Sequence, residues 1–160
     1  MEGLGNGSGG ALNLVVLRHE MLRVEDERSI VADAVYLETS VLAGDRQAAE
    51  LLADRLKLTG HCTAGLTCLY RHLGGAAALL GRTDEARKDY EDAIRMCTEM
   101  RFRPELALSR LQLAELLLQH YPDQKKDVLE HLDFAIKEFR EMKMQPSLER
   151  ALRHKEILKA

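Results

Sequence analysis

The sequence predicts an all-α chain, a stacked α–α superhelix of about three helical hairpins closed by a carboxyl-terminal capping helix. Three observations predict it. Apolar residues recur with helical spacing from residue 28 onward. The breakers Gly44, Gly60, Gly81, Pro104, Pro122 and Pro146 fall between those runs. The pattern also repeats. Gly44 and Gly81 are 37 residues apart, Gly74 and Ala114 are 40 apart, and Ala86/Val128 and Ala93/Ala135 are each 42 apart. A period of roughly 40 with two helices per unit means hairpins stacked on one another, each covering its neighbour's apolar face.

Residues 1–11 are rich in glycine with little to bury, so they predict a flexible leader, with the helical-repeat domain spanning 12–160. The leader lacks the Gly-Lys-Ser/Thr ending of a phosphate-binding loop. Residues 12–25 fit two patterns. Leu12, Leu14, Val15, Val16 and Leu17 suit a short strand, whereas Leu12, Val15, Val16, His19 and Leu22 share a helical face; the helical character downstream favours helix. A helix over about 28–43 has Ile30, Val31, Ala34, Leu37, Val41 and Leu42 as its apolar face and stops at Gly44, since glycine tolerates a left-handed closing residue. Asp45 caps the next, about 46–58, with Ala48, Leu51, Leu52 and Leu56 in spacing. Thr59-Gly60-His61 breaks it.

A third helix is expected over about 64–80, ending at Gly81. Thr83 is expected to cap a fourth, about 84–100, with Asp84 and Glu85 in its first turn, where the helix dipole favours acids. Asp84–Lys88 and Glu91–Arg95 are spaced as i,i+4 ion pairs. Pro104 opens a fifth, about 104–120, in the tolerated first-turn position. Tyr121-Pro122-Asp123 turns into a sixth, about 124–142. Pro146 and Ser147 open a final helix to about 158, polar enough to solvate the end of the stack.

The most informative stretch is Tyr70-x2-Leu73-Gly74-x2-Ala77-x3-Gly81-x4-Ala86-x3-Tyr90-x2-Ala93. Small residues stand where two antiparallel helices approach closely, and large ones stand a turn away. These residues resemble the tetratricopeptide repeat, a right-handed superhelix of helical hairpins, with that family's spacing; Thr98 stands where the family usually has proline. Leu113, Ala114, Leu117, Val128, Leu132 and Ala135 match a second repeat more loosely, after a two-residue insertion around 121–124, and Ala34, Gly44 and Ala49 match a third weakly. More narrowly, Tyr70–Ala86, Arg103–Ala107 and the PSLERAL of 146–152 look like the carboxyl-terminal helical region of bacterial multidomain signalling regulators that carry ATPase or adenylyl-cyclase-like modules. The likeness implies a sensor or scaffold part; no ATPase motif is present to carry nucleotide hydrolysis over.

Composition narrows the function. A net charge of −3 offers no attraction to phosphate backbones or anionic lipid, and 4% aromatic residues without tryptophan make a poor base-stacking platform. No apolar run approaches the ~20 residues that span a bilayer. Neither nucleic acid nor membrane is therefore expected as a partner. Three cysteines, Cys62, Cys68 and Cys97, lie in or near apolar helical patterns, which predicts reduced thiols and a cytoplasmic location.

Two constellations carry possible chemistry. His61, Cys62, Cys68 and His72 place four zinc-compatible side chains within twelve residues, though in no common zinc spacing. Leu14–Leu17 followed by Arg18-His19-Glu20 resembles the opening of histidine phosphatases, but Glu20 stands where that family has glycine. An enzyme centred on His61–His72 or on His19 is the alternative reading; neither a catalytic residue nor a cofactor is assigned. A small-molecule sensor is a further alternative, requiring an enclosed apolar pocket. The preferred reading is a non-catalytic scaffold or sensor holding a protein or peptide. By resemblance, its groove is lined by Arg71, His72, Gly75 and Leu79 in one unit and by Leu111, Gln112, Glu115, Leu118 and Gln119 in the next. A short array leaves one apolar end uncovered, which admits self-association.

Overall fold

The computed structural model describes residues 29–64 and 67–158. The leader at 1–11, the 12–25 segment and His19 lie outside the described residues. Among the described residues the chain is all-α but for one small ladder. Its helices are α1 (Ile30–Ala43), α2 (Arg46–Leu58), α3 (Leu69–Leu79), α4 (Thr83–Glu99), α5 (Arg103–His120), α6 (Lys125–Glu141) and α7 (Gln145–Ile157). Between α2 and α3, β1 (Thr63–Ala64) pairs antiparallel with β2 (Thr67–Cys68), Thr63 opposite Cys68 and Ala64 opposite Thr67.

Local chemistry explains most of the boundaries. Asp45 caps α2 through a 3.1 Å bond from the Ala48 amide to Oδ1. Gly44 (φ 71°) and Gly81 (φ 79°) close the turns after α1 and α3 in the left-handed region, where a side chain is strained. After each, an amide returns to the preceding helix, Asp45 to the Ser40 carbonyl and Arg82 to the Ala77 carbonyl, both at 2.9 Å. The exits from α4 and α6 use the same geometry without glycine. Arg101 (φ 54°) and Lys143 (φ 57°) are left-handed, and the next amides, of Phe102 and Met144, bond Cys97 and Phe139 carbonyls at 2.8 and 2.9 Å.

Three expectations are corrected. The helix expected from residue 64 begins at Leu69. The Leu69 amide bonds the Cys62 carbonyl at 2.9 Å and the Cys68 amide bonds Glu105 Oε2 at 3.0 Å, so Thr63, Ala64, Thr67 and Cys68 are held by the ladder and by another helix rather than by a helical turn. Thr83 is the first residue of α4 rather than its cap; Arg82 takes the cap position without a side-chain hydrogen bond. The ion pairs on α4 are also rearranged. Asp84 accepts from the Tyr121 hydroxyl, Glu91 pairs with Arg87, and Arg95 pairs with Asp92. Only Asp84 takes a long-range partner; Glu91 and Arg95 exchange one neighbour on the same helix for another, which costs little because such pairs contribute only a few tenths of a kcal/mol each.

Each helix packs against its successor in the chain, and the odd-numbered helices also touch in series, α1 with α3, α3 with α5 and α5 with α7. The apolar interior divides accordingly. Leu37, Ala49, Leu52, Leu56, Leu69 and Ala76 fill the α1–α3 end, and Ala107, Leu111, Leu117, Val128, Leu132 and Phe139 fill the α5–α7 end. Ala86 and Ala93 are fully buried. Among the described glycines, Gly74 makes the tightest approach. A Cβ placed there would lie 2.7 Å from Cδ1 and Cε1 of the Tyr90 ring, so α3 meets α4 through bare backbone on an aromatic face.

This contact generates a sign test. Gly74→Ala removes a helix-interior glycine, which by propensity alone stabilises by ~1 kcal/mol. The clash with a rigid ring reverses the sign, and net destabilisation of about 1–2 kcal/mol is expected, within the range for overpacking. Urea denaturation of the variant checks it; a variant more stable than the parent would mean the α3–α4 contact is looser than described.

Candidate functional site

The inner faces of the odd-numbered helices bring together Glu38, Val41 and Leu42 from α1, Arg71, His72 and Gly75 from α3, Leu108 and Gln112 from α5, and Arg150 from α7. They enclose an open concavity of about 490 Å³. A second hollow of about 750 Å³ continues along the carboxyl-terminal half of α5, where Gln112, Glu115, Leu116, Gln119 and His120 meet Ala78, Gly81 and Tyr90. Gln112 borders both.

Arg71 anchors the first concavity. Only 5% exposed, it forms a two-pronged pair with Glu105, Nε to Oε2 at 2.7 Å and Nη2 to Oε1 at 3.1 Å. Nη1 reaches Glu38 Oε1 at 3.2 Å, and Nη2 also lies 3.3 Å from Thr67 Oγ1. Burial alone pulls the guanidinium pKa down, but the hydrogen bonds and charges of Glu105 and Glu38 outweigh it and raise it. Glu105 is itself 5% exposed and shares Oε2 with the Cys68 amide. One carboxylate thus binds the start of α3 to α5 through two donors.

His72, 4% exposed, has its Nε2 against Thr67 Oγ1 and 3.3 Å from Arg71 Nη2. A guanidinium can only donate, so Nε2 accepts and the neutral ring carries its proton on Nδ1. Burial, then the Arg71 charge, lower the His72 pKa to about 3. The concavity therefore presents a neutral imidazole and a compensated guanidinium. Its exposed charges are Glu38 and Arg150, each with a side chain 45% accessible.

The expected groove residues divide. Arg71, His72, Gly75 and Gln112 reach the concavity, the first two as buried floor rather than exposed contacts. Glu115 and Gln119 line the second hollow, where Glu115 accepts from Arg150 and from His154. Leu111 is corrected: it is fully buried in the α5–α7 core. Leu79 packs with the α1–α3 core, and its carbonyl accepts from Arg46. Leu118 is half-buried and packs against the α5–α7 core. The facing stripe of α5 is Leu108, Gln112, Glu115 and Gln119, an i, i+4, i+7, i+11 series. That spacing was available to find Leu108. Glu38 and Arg150 carry no such local signal, because only the stacking brings their helices to the site.

The zinc constellation does not assemble. His61 Nδ1 lies 3.0 Å from the Thr59 carbonyl, Cys62 is exposed, Cys68 is buried, and His72 is engaged by Thr67. Among the described residues no three His, Cys, Asp or Glu side chains are placed to hold a metal ion, and no helix is long and apolar enough to cross a membrane.

Two outcomes follow from the buried charges. Glu105→Gln leaves Arg71 with Glu38 alone and is expected to cost about 3 kcal/mol by denaturant titration, the scale for breaking a buried pair; replacing both by Arg71→Met and Glu105→Leu should recover most of it. His72 is depressed relative to the unfolded chain, so the unfolded state binds more protons below about pH 6.5. Stability tied to His72 is complete above that pH and is lost as pH falls toward 3. His72→Gln should flatten the acid limb of the stability–pH curve, by up to ~1 kcal/mol per pH unit, and an unchanged limb would contradict the burial of the ring.

Comparison with known proteins returned no matching family model, no matching curated protein and no matching solved structure.

Proposed function

We propose that the chain is a tetratricopeptide-like scaffold or sensor module of a signalling or regulatory system, its hairpins stacked as a right-handed superhelix, and that it holds a protein or peptide in the concavity of its odd-numbered helices without catalysing a reaction. The observation that carries this reading is that four helices distant in sequence contribute side chains to one open hollow, with Arg71 held in its floor by two carboxylates. Such a floor is rigid before any ligand arrives, which lowers the ordering cost of binding. Val41, Leu42 and Leu108 supply apolar area, while Glu38 and Gln112 supply acceptors; that mixture suits an extended or helical peptide held by a few polar contacts.

An open rim favours a peptide over a small molecule. Leu42 is 80% exposed, and enclosure of a small apolar ligand would require it to be covered. Self-association remains a second use of the same architecture, because Val31 and Val35 on α1 are 44% and 53% exposed beside Leu42.

Selection of binders from a displayed random-peptide library tests the proposal. Gly75 has room for a side chain, since an added Cβ meets nothing closer than 3.7 Å, and a longer one would project into the hollow. Peptides that bind the parent should lose affinity at least tenfold, about 1.4 kcal/mol, for Gly75→Gln with helical content retained by circular dichroism. Selected peptides indifferent to both Gly75→Gln and Gln112→Ala would place recognition elsewhere.

A further inference from the structure

Cys68 and Cys97 belong to no part of the concavity, yet they are neighbours. Cys68 immediately precedes α3 at the end of β2, and Cys97 sits in the last turn of α4. Both are free thiols, 0% and 1% exposed, and they form one packed cluster with Ala93, covered by Tyr70, Met96, Phe102 and Leu106. The titrations of the two thiols are tied to each other, hydrogen bonding between them lowering the Cys68 pKa and raising that of Cys97. Cys62, the remaining cysteine, is exposed and stands apart.

We propose that Cys68 and Cys97 are a two-electron redox pair that a hydroperoxide converts to a disulfide, stapling the start of α3 to the end of α4. The two side chains are packed in one buried cluster, so closure joins groups that are already neighbours. The chemical roles divide between them. Hydrogen bonding with Cys97 lowers the Cys68 pKa against the effect of burial, and the first-turn amides of Arg71 and Tyr70 lower it further, while the Glu105 charge opposes. The same interaction raises the Cys97 pKa. Cys68 is thus the attacking sulfur and Cys97 the resolving one.

The step balances. The Cys68 thiolate attacks one peroxide oxygen; the S–O bond forms, the O–O bond breaks, and hydroxide leaves to take up the thiol proton as water. Cys97 sulfur then attacks the Cys68 sulfenic acid; the S–S bond forms, the S–O bond breaks, and the departing hydroxide leaves as water with the Cys97 proton. Two thiols are oxidised by two electrons and one peroxide is reduced to two waters. Access comes through local opening of the two-residue strands β1 and β2, a short ladder of low local stability.

The staple bears on the concavity through one atom. The Cys68 amide holds Glu105 Oε2, which also receives Arg71 Nε. Fixing Cys68 therefore fixes the carboxylate that positions Arg71. The disulfide stands independently of ligand binding; only this regulatory consequence rests on the function proposed above.

The test uses the full chain carrying Cys62→Ser, which removes the exposed thiol. After titration with hydrogen peroxide, non-reducing peptide mapping should show a monomer lighter by two hydrogens, with the Cys68 peptide joined to the Cys97 peptide and the link reversed by dithiothreitol. The thermal midpoint should rise on oxidation and fall back on reduction. Thiols that persist until the protein is unfolded by urea, or that pass to sulfinic acid without pairing, would overturn the proposal. A mapped disulfide with unchanged affinity for a library-selected peptide would overturn the regulatory consequence alone, whereas failure to select any peptide would bear on the proposed function and leave the disulfide standing.

Discussion

Arg71 carries a permanent charge into a part of the molecule that water does not reach, and the surroundings must answer it. A guanidinium cannot escape the cost of burial by losing its proton. It must therefore be met by carboxylates in good geometry, and Glu105 on α5 meets it with both oxygens while Glu38 on α1 adds a third contact. That requirement fixes three helices relative to one another at a single point. It also accounts for the ladder before α3: the Cys68 amide turns toward Glu105, and the chain cannot be helical there while it does so. His72 stays neutral first because it is buried and then because this same guanidinium lies beside it. Replacing the group with an apolar side chain of similar volume would pack as well, so the ion pair contributes arrangement more than net stability.

Much of the fold was legible in the sequence because its signals are local. Gly44, Gly81 and the three prolines mark turns by backbone sterics alone, and they mark them correctly. Gly74 was legible as a small residue at a close approach of two helices, and the Tyr90 ring does lie on its bare backbone, though the sequence did not name that partner. What failed was equally physical. The helix was expected to start near residue 64, but the Cys68 amide is claimed by Glu105, 37 residues along the chain, and helix begins only at Leu69. Thr83 reads as a cap by residue type, and the turn after Gly81 leaves Arg82 in that place instead.

The site was less legible than the fold. The α3 half came through because it rests on one helix face, so Arg71, His72 and Gly75 were found together. Their roles did not come through: a charged residue and a histidine near a groove suggest contacts with a ligand, whereas both are buried under their own network. On α5 a one-residue error in phase rotates the helix by about 100°, enough to put Leu111 in the groove on paper and in the core in fact. Glu38 and Arg150 had no sequence signal at all.

The exits at Arg101 and Lys143 have a consequence for how the molecule comes apart. Both are exposed basic residues in strained left-handed turns, one after α4 and one after α6, 42 residues apart. Each is held in place by the apolar residue behind it, Phe102 on the cysteine cluster and Met144 on the α5–α7 core. In an array whose units rest chiefly on their neighbours, the terminal unit frays first. A trypsin-like protease thus meets a natural ruler: scission after Lys143 reports loss of the last helix alone, and scission after Arg101 reports that unravelling has reached the middle of the stack.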